Sequence, residues 1–284
     1  MLQHLACTKG IVRGVDAQLS PAEALEKLSA AGAVAAYRCN RLVDNKRHPT
    51  MSVIATFADA FVPRHCADLL DNGQHISGVY TIFHEAAGTS GQDVYCDMDT
   101  DDGGWTVIQR RGQYGHNAYY FYRNWTEYAN GFGNPADEYW IGNKALHVLT
   151  SGDEKMVLRI VLSNSTEDST YFDYKTFIVA SGEELFQLRI GDFTGMTGDP
   201  MERLSGQKFS TYDRDSDASA FNCAERLRGA WWYLICDPST SNLNGLNLNG
   251  HHDSFGDGIV WEGTSSDGAH YSYPKVEMMI RPAK

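Results

Sequence analysis

The chain changes in charge and in aromatic content near Pro63, and this boundary constrains what it can fold into. Residues 1–62 carry 7 basic and 5 acidic side chains, whereas residues 63–284 carry 17 basic and 31 acidic ones, so the net charge of −12 comes from the second part. All 6 tryptophans also lie there, where they can contribute to a hydrophobic core. We therefore predict an N-terminal leader over residues 1–62 and one folded domain over residues 63–284.

The composition excludes several classes of protein. With 42% hydrophobic and 21% charged residues, the chain is neither a low-complexity sequence nor a largely disordered one. It contains no run of about 18 uncharged apolar residues, the length that a membrane-spanning helix needs. The negative charge disfavours nucleic acid and anionic membranes as partners, because most of the surface would repel them. An acidic chain can still hold cations.

The leader contains one helix signal and two cysteines. Ser20 at the N-cap, Pro21 in the first turn and Glu23 three residues after the cap predict the start of a helix. Apolar residues then recur at helical spacing, at Ala24, Leu25, Leu28, Ala31 and Ala35. This is either a packing helix or a short oligomerising one, and the first is favoured because a coiled coil needs about three to four heptads. Cys7 and Cys39 can pair with each other or between chains.

In the second part, strand-like runs alternate with glycine turns. Cys66 and Cys96 flank β-branched and aromatic runs at 77–82 and 94–98. The next run, at 102–111, is a glycine turn that leads into a β-branched strand.

These runs and the segments after them resemble the fibrinogen C-terminal domain, a module shared by fibrinogen chains, ficolins, tachylectins, angiopoietins and tenascins. The segments that carry the resemblance stand in the family's order, at 102–111, 121–125, 131–134, 139–143, 208–211, 213–215, 222–224, 229–233, 242–245 and 280–282. Within the family, the chain is similar to the ficolin and tachylectin type. The resemblance covers residues 63–284 and leaves residues 1–62 outside it.

The resemblance implies an α+β fold with three parts. A small N-terminal subdomain is closed by a disulfide between Cys66 and Cys96. A central twisted antiparallel sheet follows, with helices near residues 123–130 and 139–149. A loop-rich C-terminal subdomain holds a calcium ion and a ligand pocket, where metal and disulfide take the place of regular strand pairing.

The four cysteines of the second part favour structural disulfides. Cysteines in a sequence of extracellular type are usually paired, and no CxxC spacing is present for a thiolate metal site. The resemblance pairs Cys66 with Cys96 and Cys223 with Cys236.

These cysteines indicate a secreted, extracellular protein, although no clear signal peptide opens the chain. Lys9 and Arg13 interrupt the first apolar run, and Asp59 interrupts the second. The leader is therefore interpreted either as an oligomerising segment or as an imperfect N-terminus. Asn124 and Asn164 each begin an Asn-X-Ser/Thr triplet, which predicts a glycoprotein with N-linked glycans at both positions.

An acidic loop lies in the C-terminal part. Asp213, Asp215 and Asp217 alternate there, and Ca²⁺ prefers about six to eight carboxylate and carbonyl oxygens. On spacing alone, such a run is more often a solvated loop than a metal site. The resemblance assigns calcium to the carboxylates of Asp215 and Asp217 and to the backbone carbonyls of Ser219 and Phe221. It places Asp213 outside the coordination shell.

The resemblance also implies a pocket beside the calcium, which in ficolin-like and tachylectin-like members receives acetyl groups. Its lining is assigned to Leu227, Trp231, Tyr233, Ile235, Cys236, Asp237, Phe255 and Ala269. A cis peptide bond between Ile235 and Cys236 would form the floor, and such a bond costs about 3–4 kcal/mol, so the surroundings must enforce it. Trp231 and Trp232 are also expected in the core, which is the more common place for such side chains.

Four lining positions differ from those of acetyl-binding members. Leu227 and Ala269 stand where aromatic residues are usual. Asp237 stands at a usual histidine, and Phe255 at a usual tyrosine. These differences leave three interpretations open: a different sugar, an amine or cation attracted by Asp237, or no small ligand.

The function that follows is binding rather than catalysis. The sequence contains no Gly-x-Ser-x-Gly elbow, His-Glu-x-x-His helix or Gly-x-x-x-x-Gly-Lys loop, and the family resembled consists of binding modules. We predict a secreted, calcium-dependent, lectin-like protein of innate-immunity type that binds glycans or acetylated groups on cell or microbial surfaces. Display in a homo-oligomer would raise a weak single-site affinity. The alternative is a signalling or extracellular-matrix module of angiopoietin or tenascin type, which binds protein receptors and has no sugar site.

Overall fold

The computed structural model divides the chain into two compact units, Met1–Val62 and Pro63–Lys284. The residues that the structure describes are 7–13, 22, 33–43, 46–58, 61–196, 198–236, 241–262 and 267–283. No helix within these ranges is long and apolar enough to cross a membrane.

The N-terminal unit contains an antiparallel sheet in the order β1-β3-β2. Its strands are β1 (Cys7–Arg13), β2 (Ala33–Val43) and β3 (Lys46–Ala58). The helix predicted from Ser20 lies mostly outside the described residues. Ala22 is helical, but Ala35, which was expected on the same helix, belongs to β2. A short alanine-rich run fits either conformation, and its pairing with β3 decides for the strand.

The register of this sheet separates its two cysteines. Cys7 lies opposite Ala58 of β3, whereas Cys39 lies at an irregularity between the pairings to Val53 and Pro49. The two positions are therefore about 16 Å or more apart along β3, because each residue of a strand adds about 3.3 Å. A disulfide needs Cα atoms within about 7 Å. Pairing of Cys7 with Cys39 in one chain does not fit this sheet, and pairing between chains stays a prediction.

The second unit is an α+β domain. Its helices are α1 (Cys66–Asp71), α2 (Trp125–Asn130), α3 (Asn143–Thr150) and α4 (Cys223–Arg226). Its strands are β4 (Gly78–Ile82), β5 (Gln92–Asp97), β6 (Trp105–Arg111), β7 (Phe132–Gly133), β8 (Tyr139–Trp140), β9 (Met156–Ser163), β10 (Ser169–Val179), β11 (Leu188–Thr194), β12 (Ser241–Asn242), β13 (Gly250–His251), β14 (Val260–Trp261), β15 (Tyr271–Ser272) and β16 (Lys275–Pro282).

The main sheet runs in the order β11-β10-β9-β16-β6-β5-β4. In addition, β8 pairs with β6 and with β7. All of these pairs are antiparallel, which confirms the predicted fold class. The last strand, β16, lies in the middle and pairs with β9 on one side and β6 on the other. The sheet is therefore complete only when the C-terminal end of the chain has joined it.

The N-terminal subdomain is closed by the predicted disulfide between Cys66 and Cys96. This bond joins α1 to β5. The amide of Cys66 also donates to Thr106 Oγ1 of β6 at 2.9 Å, so α1 is fixed to two neighbouring strands. Helix α1 itself begins at a capping box, in which His65 accepts from the Asp68 amide and Asp68 accepts from the His65 amide.

The first predicted helix, near 123–130, corresponds to α2, and the second begins later than expected. Residues 139–149 were predicted as helical, but Tyr139 and Trp140 form β8, and α3 starts at Asn143. Gly142 precedes the helix with φ of +103°, which favours glycine. A Cβ at Gly142 would also lie 2.8 Å from the carbonyl carbon of Asn130. The close approach of these two segments ends the strand and delays the helix.

A buried ion pair connects the sheet to the C-terminal loops. Arg111, at the end of β6, donates to Glu138 Oε1 at 3.2 Å, and both side chains are buried. Arg111 Nη1 also donates to the carbonyls of Leu243 and Gly245 at 3.0 and 2.9 Å, and the guanidinium stacks on the Phe121 ring. One side chain thus fastens a loop to the central sheet.

Candidate functional site

The acidic loop is attached to the start of α2 by its first aspartate. Asp213 Oδ1 accepts from the Trp125 amide at 2.9 Å and from Thr211 Oγ1 at 2.7 Å. Asn222 completes the attachment by donating to the carbonyls of Thr211 and Tyr212, each at 3.1 Å. Through these contacts, Asp213 fixes the acidic loop to the start of α2.

The other two aspartates curl the loop on itself. Asp217 accepts from the Ser219 amide at 2.8 Å and from the Cys223 amide at 2.9 Å, one bond to each carboxylate oxygen. Asp215 accepts from the Asp217 amide at 3.2 Å. Burial raises the pKa of Asp217, the two amides lower it in part, and the nearby Asp215 carboxyl raises it further. The loop therefore holds a half-buried carboxyl group, that of Asp217, close to the exposed carboxyl group of Asp215, and a cation would stabilise the charged form of both.

A disulfide holds the other side of the loop. Cys223, at the start of α4, is bonded to Cys236 as predicted. The Ala218 amide donates to the Leu234 carbonyl at 3.1 Å, so the loop lies against the segment that carries Cys236. The Phe221 carbonyl lies 3.3 Å from Cys236 Sγ, while the Phe221 side chain is 67% exposed.

The loop provides oxygen donors of the kind that calcium prefers. Within the described ranges, no three His, Cys, Asp or Glu side chains are grouped to hold a metal ion. An ion here would depend on the carboxylates of Asp215 and Asp217, with backbone carbonyls and water for the rest. The pKa of Asp217 is raised mainly by burial and to a lesser extent by Asp215, and bound Ca²⁺ would lower it by favouring the charged carboxylate.

The aromatic residues predicted to line the pocket lie in the core. Trp231 and Tyr233 are 0% and 2% exposed, so Trp231 occupies the core position that was also expected for it, and the assignment of both to the pocket lining stays a prediction. Each has its polar atom satisfied internally, since Trp231 Nε1 donates to Ser241 Oγ and Tyr233 Oη donates to Asn242 Oδ1. Trp232 is buried as well and donates to the Phe186 carbonyl.

The other predicted lining residues differ in exposure, and Cys236, which forms the disulfide, is half-buried. Leu227 and Ala269 are buried, whereas Ile235 is 41% exposed and Phe255 is 62% exposed. Asp237 lies outside the described residues. Of the eight predicted positions, the accessible apolar side chains are therefore Ile235 and Phe255.

The peptide bond between Ile235 and Cys236 is trans, which corrects the predicted cis bond. A trans bond is the low-energy form for a non-proline residue, by about 3–4 kcal/mol. No compensating interactions are then needed to hold this segment.

Asn242, which the sequence did not single out, forms hydrogen bonds to several loops of this site. Asn242 is buried and accepts from Tyr233 Oη at 2.6 Å. Its Nδ2 donates to three carbonyls, those of Leu227, Gly256 and Gly258, at 3.0 to 3.2 Å. Asn242 therefore sets the position of the segment after α4 relative to the segment that carries Phe255. Its only sequence signal is its place in the 242–245 segment, because all four partners are distant in sequence.

Two histidines, His252 and His270, lie on the segments next to Phe255. His252 Nδ1 is 3.0 Å from Ser254 Oγ, which donates to Asp257 at 2.6 Å. Phe255 packs edge-on against His270, with ring centroids 5.3 Å apart. Burial lowers the pKa of His252, and Asp257 opposes this in part. This arrangement fixes the loop that presents Phe255.

The two predicted glycosylation sites occupy different structures. Asn124 is the N-cap of α2, where its Oδ1 accepts from the Glu127 amide. Asn164 lies in the turn between β9 and β10.

Comparison with known proteins decides the family. The family described as "Fibrinogen beta and gamma chains, C-terminal globular domain" matches residues 62–283. This chain belongs to the fibrinogen C-terminal domain family. The match covers the second unit except for its last residue and confirms the resemblance inferred from the sequence.

Three relatives place this fibrinogen C-terminal domain within the family. It is 45% identical to techylectin-5A of Tachypleus tridentatus over 78% of this chain and 75% of that one. It is 42% identical to fibrinogen C domain-containing protein 1 of Xenopus tropicalis over 80% of this chain, but it spans only 49% of that relative. The fibrinogen-like globe domain of human ANGPTL2 matches with a TM-score of 0.71 at 36% identity, over 78% of this chain and 100% of that one. This fibrinogen C-terminal domain is thus a recognition and binding domain, not an enzyme.

Proposed function

We propose that this chain is a secreted, calcium-dependent recognition protein of lectin type. It binds glycans or acetylated groups on cell or microbial surfaces, as an innate-immunity protein does. The observation that carries the proposal is the pair of carboxyl groups, Asp215 and Asp217, held together on a loop that the Cys223–Cys236 disulfide locks. The similarity to techylectin-5A supports a lectin-type role.

Calcium would be bound by the Asp215 and Asp217 carboxylates and by the backbone carbonyls of Ser219 and Phe221. It would supply a fixed positive charge that offsets the repulsion between the two carboxylates. The loop would then be held by the ion as well as by the disulfide and by the bond from Ala218 to Leu234.

The ligand surface would lie beside this loop. Ile235 and Phe255 provide exposed apolar side chains, whereas Leu227 and Ala269 are buried. Asn242 holds the segment after α4 and the segment that carries Phe255 in fixed relative positions, through its hydrogen bonds to Tyr233 and to three backbone carbonyls. The departures at Leu227, Asp237, Phe255 and Ala269 bear on which ligand is selected. A weak single site would gain strength from several copies on one surface, and disulfides between chains through Cys7 or Cys39 would link such copies.

The test is a binding panel built on one sugar ring. N-acetylglucosamine, glucose and glucosamine differ only in carrying an acetamido group, a hydroxyl or an amine at one carbon. Each is immobilised and presented to the full chain with calcium and with a chelator. Calcium-dependent binding of the acetylated sugar supports acetyl recognition, and preference for glucosamine supports a cationic ligand. Indifference to every glycan tested, with calcium or without it, would remove the lectin proposal.

A second candidate is a protein-binding module. Phe221, Ile235 and Phe255 are large apolar side chains that are 67%, 41% and 62% exposed, and such residues are typical anchors of protein interfaces. The similarity to the ANGPTL2 globe domain agrees with this candidate. It predicts that replacing Phe221 with serine abolishes binding to cells while enzymatic removal of cell-surface glycans does not. The lectin proposal predicts that glycan removal abolishes binding.

A further inference from the structure

A polar groove of about 610 Å³ lies against the turn that carries Asn164. One wall is formed by this turn and its flanks, within 163–169. The other wall combines residues 112–114, after the end of β6, with Asn249 and the 274–275 segment. Its volume is within the range of about 300–1,000 Å³ that is usual for ligand sites. None of the acidic-loop residues lines it.

The side-chain oxygen of Asn164 accepts the hydrogen bonds that shape the turn, and the side-chain nitrogen takes part in none of them. Asn164 Oδ1 accepts from the Thr166 amide at 2.9 Å, from Thr166 Oγ1 at 2.8 Å and from the Asp168 amide at 3.0 Å. No described residue forms a hydrogen bond with Nδ2. Because Nδ2 is the atom that carries an N-linked sugar, modification there keeps every bond that shapes the turn.

The opposite wall carries an aromatic ring. Tyr114 is 42% exposed, and its ring lies over Gly112, where a Cβ would be 2.5 Å from Cε2. Beside it, Gln113 Nε2 donates to Asn247 Oδ1 at 2.9 Å and to the Pro274 carbonyl at 3.3 Å, which fixes this wall. Hydroxyls, amides and one aromatic ring suit a sugar, which has polar edges and apolar ring faces.

We propose that Asn164 carries an N-linked glycan whose first sugars lie in this groove against Tyr114. The inference rests on the proposed secretion, because the glycan is added in the secretory pathway. There Nδ2 displaces the diphosphate leaving group from the anomeric carbon of a sugar-diphosphate donor and loses one N–H proton. Attachment at the wall gives the sugars an effective concentration of about millimolar or more, so weak contacts suffice to hold them. The groove is thus filled by the chain's own glycan.

The second Asn-X-Thr triplet provides an internal comparison. Asn124 does not line this groove. Its Oδ1 accepts from the Glu127 amide, and the next amide, that of Trp125, donates to Asp213 of the acidic loop. A glycan at Asn124 would therefore stand beside the acidic loop.

The test measures how easily each glycan is removed. The full chain is produced by a eukaryotic secretory cell line, and glycopeptides from medium and cells are identified by mass spectrometry. A glycosidase that cleaves between the first two sugars is applied to folded and to unfolded protein. We expect cleavage at Asn164 to be at least about tenfold slower in the folded protein, which corresponds to ~1.4 kcal/mol for closing the groove. Any glycan at Asn124 is expected to show a smaller ratio.

Variants separate groove contacts from simple crowding at the turn. Tyr114→Ala is expected to bring the cleavage rate at Asn164 close to that of the unfolded protein, whereas Tyr114→Phe keeps the ring and the protection. Thr166→Ser retains the glycan, and Thr166→Ala removes it.

Three results would overturn the inference. They are an unmodified Asn164, equal cleavage rates in folded and unfolded protein, and protection that Tyr114→Ala leaves unchanged. None of these readouts depends on calcium, so a chelator should not alter the cleavage ratio. Loss of glycan-panel binding with retained protection would therefore contradict the proposed function and not this inference.

Discussion

The second unit contains two halves that are held together by different forces. The sheet half, made of β4–β6, β9–β11 and β16, relies on strand pairing and buried apolar side chains. The loop half, residues 208–236, 241–262 and 267–273, has only two-residue strands, one short α-helix and one turn of 3-10 helix among its described residues. It depends on particular polar side chains and a disulfide. In the sheet half many residues share the stability. In the loop half a few side chains hold the loops in place, so function there is sensitive to single substitutions.

The largest effect is expected where the two halves meet. Glu138→Gln leaves the Arg111 guanidinium buried without a counter-charge, and breaking a buried pair of this kind costs about 3–5 kcal/mol. The free energy of unfolding, measured by chemical denaturation, should fall by that amount. The control is Arg64→Gln, which removes the surface pair with Glu154 and leaves the contact of Glu154 with His65 in place, at an expected cost of about 0–1 kcal/mol. Equal costs for the two variants would mean that the pair does not join the halves.

The next effect separates stability from function. Asn242→Ala leaves three buried carbonyls and the Tyr233 hydroxyl without their partner, at about 2–4 kcal/mol in total. Leu158→Ala, in the fully buried middle of β9, has a similar expected cost of about 2–5 kcal/mol. We expect both variants to lose stability but only Asn242→Ala to lose ligand binding, measured at a temperature where both are folded. A parallel loss of binding in both would contradict the difference between the halves.

A smaller effect is expected from pH. Because burial lowers the pKa of His252, the unfolded chain takes up this proton more readily than the folded one, so stability falls as pH drops below about 6.5. Compared with wild type, His252→Asn should lose less stability between pH 7 and pH 5, by an amount below about 1 kcal/mol. Thermal unfolding at both pH values, without calcium, measures the difference. Identical pH dependence in the two proteins would show that the pKa of His252 is the same in the folded and the unfolded chain.

The smallest effect concerns the acidic loop without calcium. Asp215→Asn keeps an oxygen for the Asp217 amide and removes the like charge that helps to raise the pKa of Asp217. Above pH 5 the variant should be slightly more stable than wild type in chelator, on the order of 0.3 kcal/mol, because Asp215 is exposed and solvent screens its charge. A clear loss of stability in chelator would show that the two carboxyl groups do not repel each other.

The sequence allowed the sheet half to be predicted better than the loop half. Segments such as 102–111 and 280–282, which stand in the family's order, indicated the family. The family in turn implied the antiparallel sheet and both disulfides. The start of α3 was predicted wrongly, because the close approach of Gly142 to Asn130 is a tertiary contact. In the leader, the spacing of Ala35 fitted a helix, but pairing with β3 placed it in a strand.

In the loop half, the sequence showed which residue types are present but not which way their side chains point. Trp231 and Tyr233 can either line a pocket or fill a core, and their bonds to Ser241 and Asn242 fix them in the core. Asn242 itself has no local pattern, because its partners lie from 9 to 16 residues away in sequence. The curl of Asp215 and Asp217 follows from short-range bonds, so alternating aspartates did indicate that loop.

The most direct test of calcium-dependent recognition is whether calcium stabilises the chain through the acidic loop. Thermal unfolding is followed with and without calcium for wild type, for Asp215→Ala and for Asp153→Ala, an exposed carboxylate outside the loop. An ion bound at about 100 times its dissociation constant adds ~2.7 kcal/mol. We predict that wild type and Asp153→Ala gain this stabilisation and that Asp215→Ala does not. An equal gain in all three proteins, or no gain in wild type, would contradict the account.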